Sequence, residues 1–181
     1  YHSDTRVINS VIAGNRATGS GSGVYIYHAS PHLLHTTIAQ NAGGDGSAIC
    51  ISHDALGLPP RSNVALTNTI LVSHTTGISV TGGNTVTVHS ILWDPSTPVT
   101  ISKSTTATAI VHNTFTGLPA FLNPAAHDYH IGAASDAINR GVTTGVATDI
   151  DHEWRLGAPD LGADEYVLQA YLPLILRQSS P

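Results

Sequence analysis

The stretch Leu66-Thr67-Asn68-Thr69-Ile70-Leu71-Val72-Ser73 reads as a short strand, with apolar Leu66 and Ile70 flanking polar Asn68 at two-residue spacing. Four other segments superimpose on it without gaps: INSVIAGN (8–15), LHTTIAQN (34–41), TVHSILWD (87–94) and VHNTFTGL (111–118). The strongest column holds Ile12, Ile38, Ile70, Ile91 and Phe115. Two residues earlier stands a polar column of Ser10, Thr36, Asn68, His89 and Asn113. Two earlier again come Ile8, Leu34, Leu66, Thr87 and Val111.

The anchors stand 26, 32, 21 and 24 residues apart, so the variation falls in loops. Between them a second strand recurs behind a small residue: GVYIY from Gly23, SAICI from Ser47, GISV from Gly77 and PVTIS from Pro98. SGSG, GGDG and TGGN mark turns. A period in the twenties made of short strands describes a parallel β-solenoid. The Leu-x-x-Leu-x-Leu frame of a leucine-rich repeat is missing. Coils that stack put like residues in ladders. The Ile column then forms the core, and alternation turns the polar column inward too, each side chain bonding its neighbour one coil away.

Composition agrees. Charged residues make up 10% of 181 residues, against roughly 25% in an average globular chain. Lys103 is the single lysine, and β-branched residues with Gly and Asn punctuation favour strands. The net charge of −5 and the lack of a basic stripe exclude nucleic acid as a partner. No run of about 18 apolar residues is present, so no segment is expected to span a membrane. Cys50 cannot form an internal disulfide and reads as a small buried hydrophobe. The chain starts at Tyr1 with no signal peptide, as expected of a mature product or a fragment.

The coils, read as apolar-x-Asn-x-Ile with a following Asn, resemble the secreted parallel β-helix proteins of the pectate-lyase-like superfamily, and more closely the bacterial choice-of-anchor type. Leu66-Thr67-Asn68-Thr69-Ile70, Ile12-Ala13-Gly14-Asn15 and Ile38-Ala39-Gln40-Asn41 carry that likeness. A closing passage over 118–166 carries more of it: Pro119-Ala120-Phe121, Asp128-Tyr129-His130-Ile131, Ser135 to Gly141, Asp149 to Arg155, and Asp160-Leu161-Gly162-Ala163-Asp164-Glu165-Tyr166. Leu118, Asp136, Asn139 and His152 depart from the pattern, standing for Asp, Pro, Asp and Gly. The resemblance implies an all-β, right-handed parallel β-helix of about five coils. Residues 1–117 are the coils, 118–166 the terminal coil and closing region, and 167–181 an apolar tail.

The closing passage is expected to cover the open end of the last coil, where backbone groups and an apolar face lack partners. Arg155 would fork onto Asp160 or Glu165, with Trp154, Leu161 and Tyr166 over the core. The alternative is a Ca²⁺ site of Asp149, Asp151, Asp160 and Glu165, which suits oxygen ligands but follows no EF-hand spacing. No other cofactor is implied. In the coils the acids Asp4, Asp45, Asp54 and Asp94 and the bases Arg6, Arg16, Arg61 and Lys103 are scattered, so no catalytic residue is assigned. His28, His32 and His35 flank Pro31, and His127 and His130 straddle Asp128-Tyr129, without a zinc-site spacing.

These readings favour a secreted or cell-surface protein without catalysis, structural or adhesive. It would associate with other copies of itself through the solenoid ends. Val7, Ile8 and Ile12 form an uncapped first strand, and Tyr171, Leu172, Leu174, Ile175 and Leu176 form an apolar tail. Two alternatives stand: the C-terminal part of a polysaccharide lyase or glycoside hydrolase with its catalytic coils upstream, and binding of extracellular glycans through Tyr25, Tyr27 and Trp93.

Overall fold

The computed structural model describes residues 4–53 and 61–168. The tail positions Tyr171, Leu172, Leu174, Ile175 and Leu176, and Asp54, lie outside the described residues. Among the described residues thirteen strands follow one another: β1 (Arg6–Ala13), β2 (Arg16–Ala17), β3 (Val24–Tyr27), β4 (His32–Ala39), β5 (Ala42–Gly43), β6 (Ser47–Ser52), β7 (Asn63–Val72), β8 (Thr76–Val80), β9 (Thr85–Trp93), β10 (Val99–Lys103), β11 (Thr108–Thr116), β12 (Phe121–Asn123) and β13 (Asp128–Ile131). The long strands pair in parallel as β1-β4-β7-β9-β11, and the shorter ones as β10-β8-β6-β3. This is an all-β parallel solenoid of about four turns.

Each long strand contains one residue in the left-handed region: Asn9 (φ 46°), His35 (47°), Asn68 (53°), Ser90 (57°) and Asn113 (48°). These five stack in one row. Leu34 pairs with Thr67 and Thr37 with Ile70, which sets His35 beside Asn68. Thr67 pairs with His89 and Thr69 with Ile91, which sets Asn68 beside Ser90. Asn is the non-glycine residue that tolerates this backbone best, and it occupies three of the five positions.

The kink shifts the two-residue alternation by one. In β7, Val64 and Leu66 face the solenoid interior before Asn68, and Leu71 faces it after. In β9, Val86 and Val88 are followed across Ser90 by Ile91 and Trp93. Ile70, Val72 and Leu92 therefore point outward, into a second apolar cluster with Tyr129, Ile131, Ala137 and Leu161. The burial of β9 shows the change directly: exposure alternates from Thr85 to His89, then every residue from Ser90 to Trp93 is buried.

The core ladder expected from sequence is corrected in register. The paired column is Ile12, Ile38, Leu71, Trp93 and Thr116. Ile70 instead partners Thr37 and Leu92, Phe115 partners Leu92, and Ile91 partners Thr69 and Thr114. Ile12, Ile38 and Ile91 belong to the interior cluster, whereas Ile70 and Phe115 belong to the outer one. The polar column changes likewise. Ser10 and Thr36 are partners, but Asn68 and Asn113 join the kink row, and His89 partners Thr67 and His112. Both sides of the strand are apolar beyond the kink, so a gapless superposition on apolar anchors slides by one or two residues.

The closing region is corrected in place. Rather than lying over the end of the last coil, it runs back along the outer face of the five-stranded sheet. Asn68 donates to Val142 O (2.7 Å) and accepts from Val142 N (2.9 Å). His35 Nε2 stands 3.0 Å from Thr144 Oγ1, and Asn9 Nδ2 donates to Thr148 O at 2.7 Å. Residues 142, 144 and 148 thus descend the kink row from the third coil to the first. Gly162, at φ 91°, lies so close to the sheet that a Cβ there would come within 2.7 Å of Ile70 Cδ1 and Thr37 Oγ1. Leu161 is fully buried in the outer cluster, but Trp154 is 65% exposed.

A second polar row stands at the next corner. Asn41 Oδ1 accepts from Asn15 N and Nδ2 (3.0 and 2.9 Å), and Asn41 N donates to His74 Nε2 (3.3 Å). Asn68 tests the primary row. Asn68→Ala loses the Val142 and His35 bonds and strains the left-handed backbone, and should destabilise by about 2–4 kcal/mol in urea unfolding. Asn68→Gly should be the milder of the two, because glycine enters that region without strain.

Candidate functional site

The chain's acidic residues gather in the closing region, and most of them serve its backbone. Asp149 Oδ1 accepts from Asp151 N (2.9 Å) and Glu153 N (2.8 Å), and its Oδ2 accepts from Glu165 N (2.9 Å). Asp160 accepts from Asn139 N (2.6 Å) and Tyr166 N (2.7 Å). Glu165 Oε2 accepts from Asp160 N (2.8 Å) and Arg155 Nη1 (2.9 Å). A segment with almost no regular structure leaves its N–H groups without ladder partners, and these carboxylates supply them.

Arg155 is the centre of that seam, with its side chain 1% exposed against 7% for Glu165. Its Nη2 donates to Ala163 O (2.9 Å), Gly162 O (3.2 Å) and Asn9 Oδ1 (3.3 Å), so one guanidinium ties the closing turns to the first coil. Of the expected closing ion pair, Arg155 and Glu165 touch, while Asp160 turns its oxygens to Asn139 and Tyr166. Burial pushes the Asp160 and Glu165 carboxyls up and the Arg155 guanidinium down from their ordinary values.

A different group stands at the rim. His130, on β13, has Nδ1 2.5 Å from Asp128 Oδ1 and Nε2 2.6 Å from Asp151 Oδ2. The Asp128 hydrogen bond raises its pKa to about 9; burial, the next largest effect, opposes it, and the Asp151 hydrogen bond adds to the rise. Asp164 is 7% exposed and accepts from Ile131 N at 2.7 Å. Burial pushes its carboxyl up to about 6, with the charges of Asp149 and Asp151 adding to the rise. Ligand atoms of His130, Asp151 and Asp164 all lie within 4.8 Å of one another, the one such group of three among the described residues. Two cavities of about 230 and 510 Å³ meet there, sharing His130, Asp151 and Asp164 in their walls. Of the carboxylates considered for Ca²⁺, only Asp151 belongs to this group. Spacing could not reveal it, since its members come from three segments.

In the coils, Asp45 Oδ1 accepts from Gly21 N, Ser47 N and Ser47 Oγ, and Asp94 Oδ1 accepts from Ser96 N and Oγ. Both close turns. Trp93, read as an exposed aromatic, is corrected to a core residue at 4% exposure. Tyr25 and Tyr27 are exposed, their rings 6.4 Å apart and within 9° of parallel. Cys50 is buried, which pushes its thiol up. Ile8 is 38% exposed, and Val7 and Ile12 are half-buried against the interior cluster.

Fold and seam define a parallel β-solenoid whose C-terminal segment doubles back as an outer wall. No protein-family model matches the chain, and comparisons with curated proteins and with solved structures find no match.

Arg155→Met leaves the Glu165 carboxylate buried without its counter-charge, and should lower stability by about 3–5 kcal/mol in denaturant unfolding. A second prediction concerns pH. Burial, the leading cause in each, lowers His35 to about 3 and His74 to about 4 from 6.5. The Arg155 charge also lowers His35, while a Val72 backbone bond and the Asp94 charge partly oppose the shift of His74. Between pH 6.5 and those values the unfolded chain binds protons that the folded chain does not, so their contribution is complete above 6.5 and is lost as pH falls. The raised carboxyls of Asp160, Asp164 and Glu165 act in the opposite direction. His74→Gln should therefore reduce the loss of Tm between pH 6.5 and 4, whatever its effect at neutral pH.

Proposed function

We propose that this chain is a non-enzymatic extracellular scaffold. In this reading it is a right-handed β-helix of the pectate-lyase-like kind, close to the choice-of-anchor type, whose ends stack on further copies. The exposed apolar residues of the edge strands, among the described residues, carry the proposal. β1 and β11 are the edge strands of the main sheet. Ile8 and Val11 are 38% and 36% exposed at one end, and Ile110 and Val111 are 43% and 48% exposed at the other. Val7 and Ile12 at one end, and Ile101 and Ala109 at the other, are only partly buried edges of the interior cluster. A parallel strand added at either end continues the ladder, and such a head-to-tail contact does not close on itself.

Structural uses of several carboxylates fit the non-enzymatic reading. Asp45 and Asp94 close turns in the coils, and Asp149, Asp160 and Glu165 hold backbone N–H groups of the closing region. A second reading, glycan binding, is favoured by the near-parallel, exposed Tyr25 and Tyr27.

Light scattering coupled to size exclusion, over a wide concentration range, should show the mass of the full chain rising with concentration. Negative-stain images should show linear particles. Val111→Lys should hold the chain monomeric while leaving its strand circular dichroism unchanged. A wild-type chain that stays strictly monomeric at millimolar concentration would sink the scaffold reading. Glycan binding lost in Tyr25→Ala would put the second reading in its place.

A further inference from the structure

We propose that His130, Asp151 and Asp164 bind a divalent first-row transition cation, of the Zn²⁺ class, which staples the closing segment together. Three observations meet at this point. The three residues come from β13, from the turn after Asp149 and from the passage before Tyr166, yet one ligand atom of each falls within 4.8 Å of the others. Bonds of about 2.0–2.2 Å place two ligands of one ion at most about 4.4 Å apart, so a small rotation of these side chains brings all three onto one cation.

The imidazole is also aimed. Asp128 Oδ1 holds His130 Nδ1 at 2.5 Å, so Nε2 is the nitrogen presented to Asp151, 2.6 Å away. A carboxylate on the far nitrogen is the arrangement that fixes the tautomer and orientation of metal-binding histidines.

The third observation is Asp164. Its side chain belongs to a residue only 7% exposed, and one oxygen accepts from Ile131 N. Its second oxygen accepts no hydrogen bond among the described residues, and the residue lines both cavities. The buried carboxylates Asp149 and Asp160 contrast with it, since N–H groups engage both oxygens of each. One imidazole with two carboxylates suits Zn²⁺ or its neighbours better than Ca²⁺ or Mg²⁺, which prefer oxygen alone. The cavities leave room for water in the remaining positions.

The test uses the full chain stripped with EDTA and desalted. Calorimetric titration should show one saturable Zn²⁺ equivalent, thermal unfolding should move up with Zn²⁺, and Co²⁺ should give the weak visible bands of nitrogen and oxygen coordination. His130→Ala and Asp164→Asn should abolish saturable binding. Asp151→Asn, at an exposed position that does not endanger folding, should weaken it at least tenfold. Asp128→Asn should weaken it about 10–100-fold without removing a ligand. A His89→Ala, His112→Ala double variant removes a neighbouring surface pair, rings 5.6 Å apart, and should bind as the wild type does. No saturable Zn²⁺ binding, binding that survives Asp151→Asn and Asp164→Asn, or binding lost with His89 and His112 would each overturn the assignment. Ca²⁺ bound as tightly as Zn²⁺ and unaffected by His130→Ala would do so as well.

Discussion

The structure depends on one backbone constraint, a left-handed residue in the middle of every long strand. Asn9, His35, Asn68, Ser90 and Asn113 hold it in register from coil to coil. Each kink shifts the side-chain phase of its strand by one. Leu66 and Leu71 can then both face the interior although strict alternation would put residues i and i+5 on opposite faces. The same shift turns Ile70, Val72 and Leu92 outward. An outward apolar face beside water costs about 25 cal/mol per Å² left uncovered, so the kink creates the need for a second wall.

The closing region is that wall, and the kink row is also what holds it. Asn9, His35 and Asn68 present side chains that meet Thr148, Thr144 and Val142 in turn. Apolar contact through Leu161, Ala137, Ile131 and Tyr129 supplies the burial, and the polar row sets the path. Because the segment is nearly without ladders, its N–H groups need other acceptors, and Asp149, Asp160 and Glu165 provide them. Arg155 ties Glu165 to the first coil through Asn9. The acidic stretch that looks like an active site in one dimension is thus mostly a set of backbone caps. In the cluster around His130, Asp164 lines two cavities and only one of its oxygens accepts a hydrogen bond among the described residues.

By itself the sequence determined the class of fold. Short β-branched strands at a period in the twenties, with Gly- and Asn-marked turns, have one economical solution: parallel coils stacked so that strand edges pair. It also set Arg155 against Asp160 or Glu165, and Glu165 is the one that Arg155 meets. Only the tertiary structure decided the register, because beyond each kink both faces of the strand are apolar, and runs such as Ile70-Leu71-Val72 fit either phase. Asn9, Asn68 and Asn113 were the legible trace of the kink, hidden by His35 and Ser90 in the intervening coils. The placement of the closing wall, and the meeting of His130, Asp151 and Asp164, were likewise beyond sequence. Both arise where chain segments far apart in number are brought together by burial of a face that strict alternation would have left polar.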